Sequence, residues 1–424
     1  MNSMLRGALM LALASVILVA ARAARAQMEG VVYSFCSQPN CADGFGPNGN
    51  LLLDAQGNLF GATQYGGAHN QGVIFKLAPS GAESVLRNFS YGIGAQPEGS
   101  LIQDAQGNLY GVTNGSGYIG LLNANFFGSV FELKKRSYRF LYRYTASNQT
   151  TGAKPSAGLV MDAQGNVYGT TEYGGANGCG TGYGCGTVFK VTPSGVYTVL
   201  HNFAGGLDGE GPNGNLVLDA SGNLYGTTDF GGPYGQGCLE AAGCGTVFKL
   251  AADGTEMILY SFSGEADGGR PLAGLIMDEQ GNLYGTTAEG GTGCPGEGSV
   301  GCGTVFKLTP SGNETVLYSF AGGNDGDGPW STLVRDGRGN FYGTTFFGGG
   351  SGCTGDGGCG TVFKVSPGGT ETVLYRFTGG TDGARPYGGV VLDAAGNIYG
   401  TTFEGGLGQC DEDLGCGVVF KVTP

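Results

Sequence analysis

One eight-residue motif recurs seven times along this chain, with the pattern Asp-x-x-Gly-Asn, an apolar residue, Tyr or Phe, and Gly. Its copies begin at Asp54, Asp104, Asp162, Asp219, Asp278, Asp336 and Asp393. Successive copies are 50, 58, 57, 59, 58 and 57 residues apart. A nearly fixed period of this length is typical of repeated supersecondary units, so it constrains the fold more than any local pattern does.

Each repeat contains four short stretches rich in β-branched and aromatic residues. In the fifth repeat they cover residues 274–278, 282–287, 303–308 and 315–320. Turn residues separate them: Asp-x-x-Gly-Asn after the first stretch and Thr-Pro-Ser-Gly after the third. No stretch has a sustained helical period, which predicts four antiparallel strands per repeat, named A to D. Seven such repeats predict an all-β, seven-bladed β-propeller.

The two ends of the repeat region are incomplete in a complementary way. Residues 31–35 read as a lone D strand, and residues 417–422 read as a C strand with no D strand after it. Together they complete one blade, which predicts a ring closed by pairing the N-terminal strand with the C-terminal strand. A closed ring leaves no exposed sheet edge.

Charged residues recur on the C and D strands and predict a strand register. Six C strands carry a lysine, and in four repeats a glutamate follows it seven residues later. We expect each lysine to lie directly opposite its glutamate, and Lys421 to pair with Glu29 across the chain ends. In the second repeat the signs are exchanged, with Glu132 and Arg139 in a hairpin that is one residue shorter. The glutamates of the four regular pairs are Glu83, Glu256, Glu314 and Glu371.

The repeat motif GNLYGTT…GG…GTVFKL…TVLYSF resembles that of the GloVer tandem-repeat proteins, secreted propeller-type proteins of environmental bacteria. The resemblance covers residues 29–424, and the DxxGNLYGTT hairpin is also similar to hairpins of two-component sensor ectodomains. The resemblance implies a propeller but carries no catalytic residues with it. Members often end in an added sorting or anchoring segment, so a chain ending at Pro424 leads us to expect free release from the cell.

The first 26 residues have the features of a secretory signal peptide. Arg6 precedes an apolar run over residues 8–20, and Ala24-Arg25-Ala26 fits a small-x-small cleavage site. We expect one propeller domain over residues 27–424, secreted to the exterior or the periplasm. Cleavage removes three arginines and no acid, which lowers the net charge from −13 to −16. Such a surface repels nucleic acid and anionic lipid, and no later segment is apolar enough for membrane insertion.

Twelve cysteines lie in close sequence pairs, with four to seven residues between partners. This spacing does not match zinc or redox motifs, and it predicts six local disulfides in loops of a protein from an oxidising compartment. The pairs are Cys36 and Cys41, Cys179 and Cys185, Cys238 and Cys244, Cys294 and Cys302, Cys353 and Cys359, and Cys410 and Cys416.

The predicted strand order places the long D–A and B–C loops on one face and the short turns on the other. Function tends to reside on loops held by a rigid frame, so the long-loop face is the predicted binding surface. Aromatic side chains there could stack on sugar rings; the candidates are Tyr65, Tyr173, Phe230, Trp330, Phe347 and Phe403. Carboxylates there could hydrolyse glycosides; the candidates are Glu172, Asp229, Glu289 and Glu404. Alternatively, both sets only fill and solubilise the bases of loops.

Aspartates that precede a glycine recur in the D–A loops and are candidates either for calcium ligands or for caps of Asp-Gly turns. They are Asp208, Asp267, Asp325 and Asp382. No other cofactor is expected. The two histidines, His69 and His201, have no visible acid partner in the sequence, so histidine-based catalysis is not expected.

These features favour a secreted, non-catalytic propeller that binds a ligand, with carbohydrate the first choice, through its long-loop face. The expected partner is then an extracellular polysaccharide or a cell-surface protein. Two alternatives stay open: an extracellular carbohydrate-active enzyme, either hydrolase or lyase, that uses carboxylates of the central funnel, and a structural or protein-interaction module.

Overall fold

The computed structural model describes residues 28–91, 94–115, 127–135, 137–145, 150–175, 179, 184–233, 243–294, 301–350, 352–353, 357–408, 410 and 415–424, with side chains from Gly30 onward. The predicted signal peptide, residues 1–26, lies outside this part. The described strands form seven antiparallel sheets. Six of them contain successive strands of one repeat, and the seventh combines three strands of the last repeat with the N-terminal strand. The protein is therefore a seven-bladed β-propeller, as its repeats predict.

Blades 1 to 3 contain strands β2 to β14. Blade 1 contains β2 (Phe45–Pro47), β3 (Leu52–Leu53), β4 (Leu59–Tyr65), β5 (Val73–Leu77) and β6 (Glu83–Asn88). Blade 2 contains β7 (Pro97–Gln103), β8 (Leu109–Thr113), β9 (Ser129–Lys134) and β10 (Ser137–Arg143). Blade 3 contains β11 (Val160–Met161), β12 (Val167–Thr171), β13 (Thr187–Val191) and β14 (Tyr197–Asn202).

Blades 4 to 7 repeat this order. Blade 4 contains β15 (Val217–Leu218), β16 (Leu224–Thr228), β17 (Thr246–Leu250) and β18 (Glu256–Ser261). Blade 5 contains β19 (Ile276–Met277), β20 (Leu283–Thr287), β21 (Thr304–Leu308) and β22 (Glu314–Ser319). Blade 6 contains β23 (Val334–Arg335), β24 (Phe341–Thr345), β25 (Thr361–Val365) and β26 (Glu371–Arg376). Blade 7 contains β27 (Val391–Leu392), β28 (Ile398–Thr402), β29 (Val418–Thr423) and, from the other end of the chain, β1 (Met28–Ser34).

The ring is closed by the pairing of β1 with β29. Gly30 lies opposite Lys421 and Val31 opposite Phe420, in an antiparallel register. The backbone N–H of Phe35 extends this pairing by donating to the carbonyl of Gly417, at 3.1 Å. The predicted closure by the N-terminal strand is confirmed.

Aromatic rings connect neighbouring blades around the whole ring. Phe320, which follows strand D of blade 5, contacts Phe363 of strand C in blade 6 edge to face, with ring centroids 5.0 Å apart. Phe35 and Phe75 make the same contact between blades 7 and 1, also at 5.0 Å. Edge-to-face pairs are worth about 0.5–1.5 kcal/mol beyond the apolar area that they bury. The same type of contact thus stabilises the junction that follows β1 as well as those further along the chain.

The recurrent motif forms the A–B turn, as its residues predict. In blade 1, Asp54 Oδ1 accepts hydrogen bonds from the backbone N–H groups of Gln56 and Asn58, at 2.9 and 2.8 Å. Gly57 has a φ of +79°, which explains why glycine is needed there. Burial tends to raise the pKa of Asp54, but these hydrogen bonds outweigh burial and lower it. The aspartate is therefore an ionised turn cap.

The predicted Lys–Glu pairs across the C–D turn are wrong by one residue. In blade 5, Lys307 lies opposite Thr315, and Leu308 lies opposite Glu314. A one-residue shift moves a side chain to the other face of the sheet. Lys307 and Glu314 therefore lie on opposite faces of the sheet. On its own face, Lys307 Nζ lies 5.9 Å from the centre of the Tyr284 ring of strand B. In the same way Lys421 lies opposite Gly30, not Glu29, and its Nζ is 5.6 Å from the Tyr399 ring.

The exchanged pair in blade 2 is confirmed because its hairpin is one residue shorter. Arg139 lies directly opposite Glu132. The Arg139 guanidinium donates to Glu132 Oε2, while the Tyr110 hydroxyl donates to Glu132 Oε1 at 2.8 Å. Glu132 is thus a buried carboxylate with two strong donors.

Five of the six predicted disulfides lie in the described part of the chain. They join Cys36 to Cys41, Cys179 to Cys185, Cys294 to Cys302, Cys353 to Cys359, and Cys410 to Cys416. Cys244 is also disulfide-bonded, while Cys238 lies outside the described residues. These bonds hold long loops and are typical of proteins from oxidising compartments.

Candidate functional site

The D–A and B–C loops lie together on one side of the ring. A residue in the D–A loop pairs with the residue that follows strand B, as in Ala153 with Tyr173 and Ala384 with Glu404. These bridges extend the pairing of strands A and B into the loops. Side chains of both loop types, such as Lys154 and Glu172, line one central opening.

A residue with a left-handed backbone precedes a proline in every D–A loop. Glycine stands at this position in the loops that lead into blades 1, 4 and 6, and Gln96 in the loop that leads into blade 2. Lys154, Arg270 and Arg385 stand there in the other three loops, with φ of 55°, 55° and 53°. Non-glycine residues rarely adopt this conformation, which costs about 1–3 kcal/mol and is common at functional sites. The three cations are therefore held at the opening despite a backbone cost.

The four predicted catalytic carboxylates are all paired with these cations. Lys154 Nζ lies 2.5 Å from Glu172, and Arg385 Nη1 lies 2.9 Å from Glu404. These cations were not predicted from the sequence, although each precedes a proline at a fixed place in the repeat.

Arg270 holds the other two carboxylates. Its Nε and Nη2 bind both oxygens of Asp229, at 2.9 and 3.0 Å, and its Nη1 binds Glu289 at 3.1 Å. Burial raises the pKa of Asp229, and the guanidinium opposes this effect. Because both oxygens of Asp229 bind Arg270, neither is free to attack or protonate a substrate in this arrangement.

A cavity of about 390 Å³ lies at the centre of this opening. Its wall consists mainly of amides, hydroxyls and backbone groups from the starts of the A strands; its polar uncharged members are Asn48, Asn50, Ser100, Ser156, Asn213, Asn215, Ser331 and Thr332. Several of them link adjacent blades. Gly389 donates to Asn50 Oδ1 at 2.6 Å across the closing junction, and Gly158 donates to Asn215 Oδ1 at 2.6 Å.

Glu98 is a carboxylate of this cavity that the sequence analysis missed. Its Oε2 accepts a hydrogen bond from Asn114 Nδ2 at 2.6 Å, and its Oε1 lies 3.5 Å from Asn48 Nδ2. Burial raises the pKa of Glu98, with Lys154 and the two amides opposing the effect. Unlike Glu172, Asp229, Glu289 and Glu404, Glu98 makes no ion pair within 4 Å in the described part of the chain.

Trp330 and Tyr387 form an aromatic edge of the cavity. The Trp330 ring stacks on Phe346, with centroids 4.1 Å apart and an angle of 18° between the planes. Phe347 and Tyr387 contact Trp330 edge to face, at 5.6 and 6.0 Å. Tyr387 is 41% exposed, so part of its ring is available to a ligand.

Of the six predicted aromatic residues, Trp330 lines the cavity, and the other five are not among the described residues of its lining. Phe347 supports Trp330, and Tyr65 stacks on Phe45 at 5.3 Å. Phe403 packs against Gly46, where an added Cβ would come within 3.1 Å of its ring.

Tyr173 and Phe230 lie beneath two of the cations, with Lys154 Nζ and Arg270 Cζ 5.3 and 5.2 Å from their ring centres. These two rings therefore position the charged side chains.

The D–A aspartates predicted as calcium or turn-cap residues bind the backbone of their own loops. Asp325 Oδ2 accepts from the N–H of Ala321 at 2.7 Å, and Asp382 Oδ2 accepts from that of Thr378 at 2.9 Å. Asp267 and Asp208 accept from Ser263 and Ala204 in the same way, at 2.9 and 2.6 Å. All four cap turns at the rim, away from the central cavity.

The fold and its loops define a seven-bladed β-propeller with a polar central cavity on the face that carries the long, disulfide-linked loops. The chain belongs to the Gloeobacter/Verrucomicrobia repeat family, whose model matches residues 23–239, 182–299 and 294–424. The family predicted from the repeat motif is thereby confirmed. A search of curated proteins found no match in sequence.

Several solved structures share this fold. A streptogramin B lyase has a TM-score of 0.58 and 13% identity, with 94% of this chain and 97% of that one covered. Virginiamycin B lyase from Staphylococcus aureus has a TM-score of 0.56 and 12% identity, with 94% and 99% covered. The extracellular domain of a hybrid two component system from B. thetaiotaomicron has a TM-score of 0.51 and 13% identity, with 94% and 42% covered. Identities this low establish a common fold.

No helix among the described residues is both long and apolar enough to span a membrane.

Proposed function

We propose that this protein is exported and binds a small carbohydrate, without catalysis, in the central cavity of its long-loop face. The observation that carries the proposal is the cavity wall, in which amides and hydroxyls surround an aromatic edge formed by Trp330 and Tyr387. Sugars present hydroxyls that pair with amides and hydroxyls, and their C–H faces pack on aromatic rings. Ligand pockets of proteins usually combine an aromatic surface with a few placed polar groups in this way.

The charges around the cavity favour an uncharged ligand. Glu172 is neutralised by Lys154, and Asp229 shares Arg270 with Glu289. An anionic or cationic ligand would have to compete with these pairs, whereas a neutral polyol would leave them intact. The volume of about 390 Å³ lies near the lower end of the range of about 300–1,000 Å³ for small-molecule sites. One or two sugar rings suit this space.

The proposal is tested by a glycan array, followed by titration calorimetry with the best ligand. Tyr387→Ala and Trp330→Ala should each weaken binding more than about tenfold, since stacked aromatic residues are frequent hot spots of recognition. Tyr91→Ala is the matched control, because Tyr91 is 63% exposed and does not line the cavity. Equal binding by all four proteins would exclude the cavity, and an array without hits would favour the structural or protein-interaction module.

A carbohydrate-active enzyme is the second candidate, and Glu98 is the observation that favours it. A carboxyl group whose pKa is raised by burial beside a cavity has the property of a general acid. Product analysis on polysaccharides should then show cleavage by the natural protein and none by Glu98→Gln. Intact polysaccharide with both proteins would leave binding as the function.

A further inference from the structure

The outer rim of the propeller repeats one cluster of side chains at successive blade junctions. A residue near the end of strand D faces an aspartate in the following D–A loop, and a glutamate at the start of strand D in the next blade approaches the same aspartate. Between blades 4 and 5 the three are Tyr260, Asp267 and Glu314, with the tyrosine hydroxyl 3.0 Å from Asp267 Oδ2. Tyr318 and Asp325 make the same contact one junction later, at 2.8 Å.

The junction between blades 3 and 4 departs from this pattern at one residue. His201 of strand β14 replaces the tyrosine, while Asp208 and Glu256 keep the two carboxylate positions. The expectation that His201 has no acid partner is therefore wrong. The partners are distant in sequence and come together only because adjacent blades pack at the rim.

The three side chains converge on one point. A ring nitrogen of His201 and one oxygen each of Asp208 and Glu256 lie within 4.8 Å of one another. His201 Nε2 is 3.3 Å from Asp208 Oδ1 but makes no hydrogen bond of normal geometry, and it is buried. Glu256 Oε1 is also buried without a hydrogen-bond partner. Buried polar atoms are nearly always hydrogen-bonded, so a buried imidazole nitrogen that has no hydrogen bond and lies beside two carboxylates calls for a further partner.

We propose that His201, Asp208 and Glu256 form a site for a divalent transition-metal ion, with Zn²⁺ as the preferred ion. Zinc takes imidazole nitrogen and carboxylate oxygen ligands at about 2.0–2.2 Å, so its ligand atoms are separated by distances within the span of this cluster. The imidazole favours zinc and related ions over calcium, which takes oxygen ligands only. One ion would satisfy both unpaired atoms and would join the outer strands of blades 3 and 4.

The other junctions explain why the site is confined to one place. At four of them a tyrosine hydroxyl donates to the aspartate and satisfies that carboxylate without an ion, so the imidazole is what sets the fifth junction apart. The remaining candidate groups with close ligand atoms, around Cys41 and Cys302, consist mainly of cysteines that are joined in disulfides. Among the described residues, the His201 cluster is thus the one whose ligand atoms are all available to a metal.

The test is titration calorimetry of the purified protein, without a polyhistidine tag, with Zn²⁺ and separately with Ca²⁺. We expect one Zn²⁺ per chain and a rise in melting temperature with zinc. His201→Tyr should reduce zinc affinity well beyond about tenfold, since even outer-shell changes at metal sites cost about 10–100-fold. This variant should fold, because a tyrosine makes the contact with the aspartate at four other junctions. His69→Ala is the matched control, since His69 is exposed and should not affect binding.

A gain of binding provides the second arm of the test. Tyr260→His should create a second zinc site, because Asp267 and Glu314 stand where Asp208 and Glu256 stand. Zinc binding that survives His201→Tyr would overturn the proposal, as would loss of binding in His69→Ala. Calcium binding that His201→Tyr leaves unchanged, without any zinc binding, would also overturn it. None of these outcomes depends on a carbohydrate ligand, so the proposal is tested independently of the proposed function.

Discussion

The glutamates at the start of strand D should make the propeller less stable as the pH rises. Glu314 and Glu371 each have a buried Oε1 without a hydrogen-bond partner, and each approaches an aspartate of the preceding blade junction. Burial, and then the charge of Asp267 or Asp325, raises the pKa of each carboxyl to about 7. In an unfolded chain the pKa of glutamate is close to 4.5. Each of these two carboxyl groups therefore binds its proton more tightly in the folded state than in the unfolded state.

The sign and size of the effect follow from proton linkage. A carboxyl with a raised pKa in the folded state contributes full stability below about pH 4.5 and loses it as the pH rises through about 7. A rise from 4.5 to about 7 would correspond to about 3 kcal/mol for a fully buried group. Both side chains are only half-buried, and solvent screening reduces the effect to about 1 kcal/mol each.

The double variant Glu314→Gln/Glu371→Gln removes both charges and preserves the shape of the side chains. We expect it to be about 2 kcal/mol more stable than the natural protein at pH 8, and equally stable at pH 4.5. Thermal unfolding followed by circular dichroism should show a melting temperature raised by roughly 2–3 °C at pH 8. Glu279→Gln, at an exposed turn position, is the control and should change nothing. Equal melting temperatures at pH 8, or a change of the same size at both pH values, would refute the reasoning.

Three further substitutions test ion pairs by urea unfolding. Glu132→Gln should destabilise the protein by about 1–2 kcal/mol at pH 7, and the difference should vanish as the pH falls. Burial tends to raise the pKa of Glu132, but the hydrogen bonds from Arg139 and Tyr110 outweigh burial and lower it. The stability that the ionised carboxylate contributes is therefore lost as the carboxyl is protonated at low pH. A destabilisation by Glu132→Gln that persists at low pH would contradict this. Arg270→Met should cost about 3 kcal/mol, because it leaves Asp229 and Glu289 without their cation. Arg385→Met, which affects Glu404 alone, should cost about half as much, and equal costs would count against a shared guanidinium.

The architecture could be predicted from the sequence because each blade is specified locally and repeatedly. The Asp-x-x-Gly-Asn turn needs only an aspartate that binds its own backbone and a glycine with positive φ, and both are visible in one repeat. The D strand at residues 31–35 has no C strand before it, and the C strand at the other end has no D strand after it, so each can complete its sheet by pairing with the other. Ring closure was therefore a matter of counting strands.

The register of the C–D hairpin could not be predicted by counting seven residues between charges. The turn of blade 5 places Leu308 opposite Glu314, which is six residues later in the sequence. Residues next to this turn are therefore opposite each other when an even number of positions separates them, and Lys307 and Glu314 are seven positions apart. The shorter hairpin of blade 2 makes the same separation of seven residues a true pair, Glu132 with Arg139. The length of the turn, more than the charges, decides which residues meet.

The candidate sites were harder to predict because they form between repeats. Arg270 binds Asp229 of the preceding B–C loop, and His201 meets Glu256 of the next blade. The sequence does contain a signal for the first of these sites. Arg270 stands directly before the proline that every D–A loop contains, where three other repeats have glycine. For the second, the signal was the histidine that replaces tyrosine in the sequence TVLYSF.

The pairing of β1 with β29 has a consequence for how the chain is made. Val31 emerges among the first residues of the propeller, yet its partner Phe420 is among the last to be synthesised. Until then the seventh sheet lacks its outer strand, and the segment around Val31 has unsatisfied backbone groups that can pair with another chain. Folding can thus finish only after the last strand of the propeller has been made, and an interrupted chain would carry an unpaired strand, prone to aggregation, near its N-terminal end.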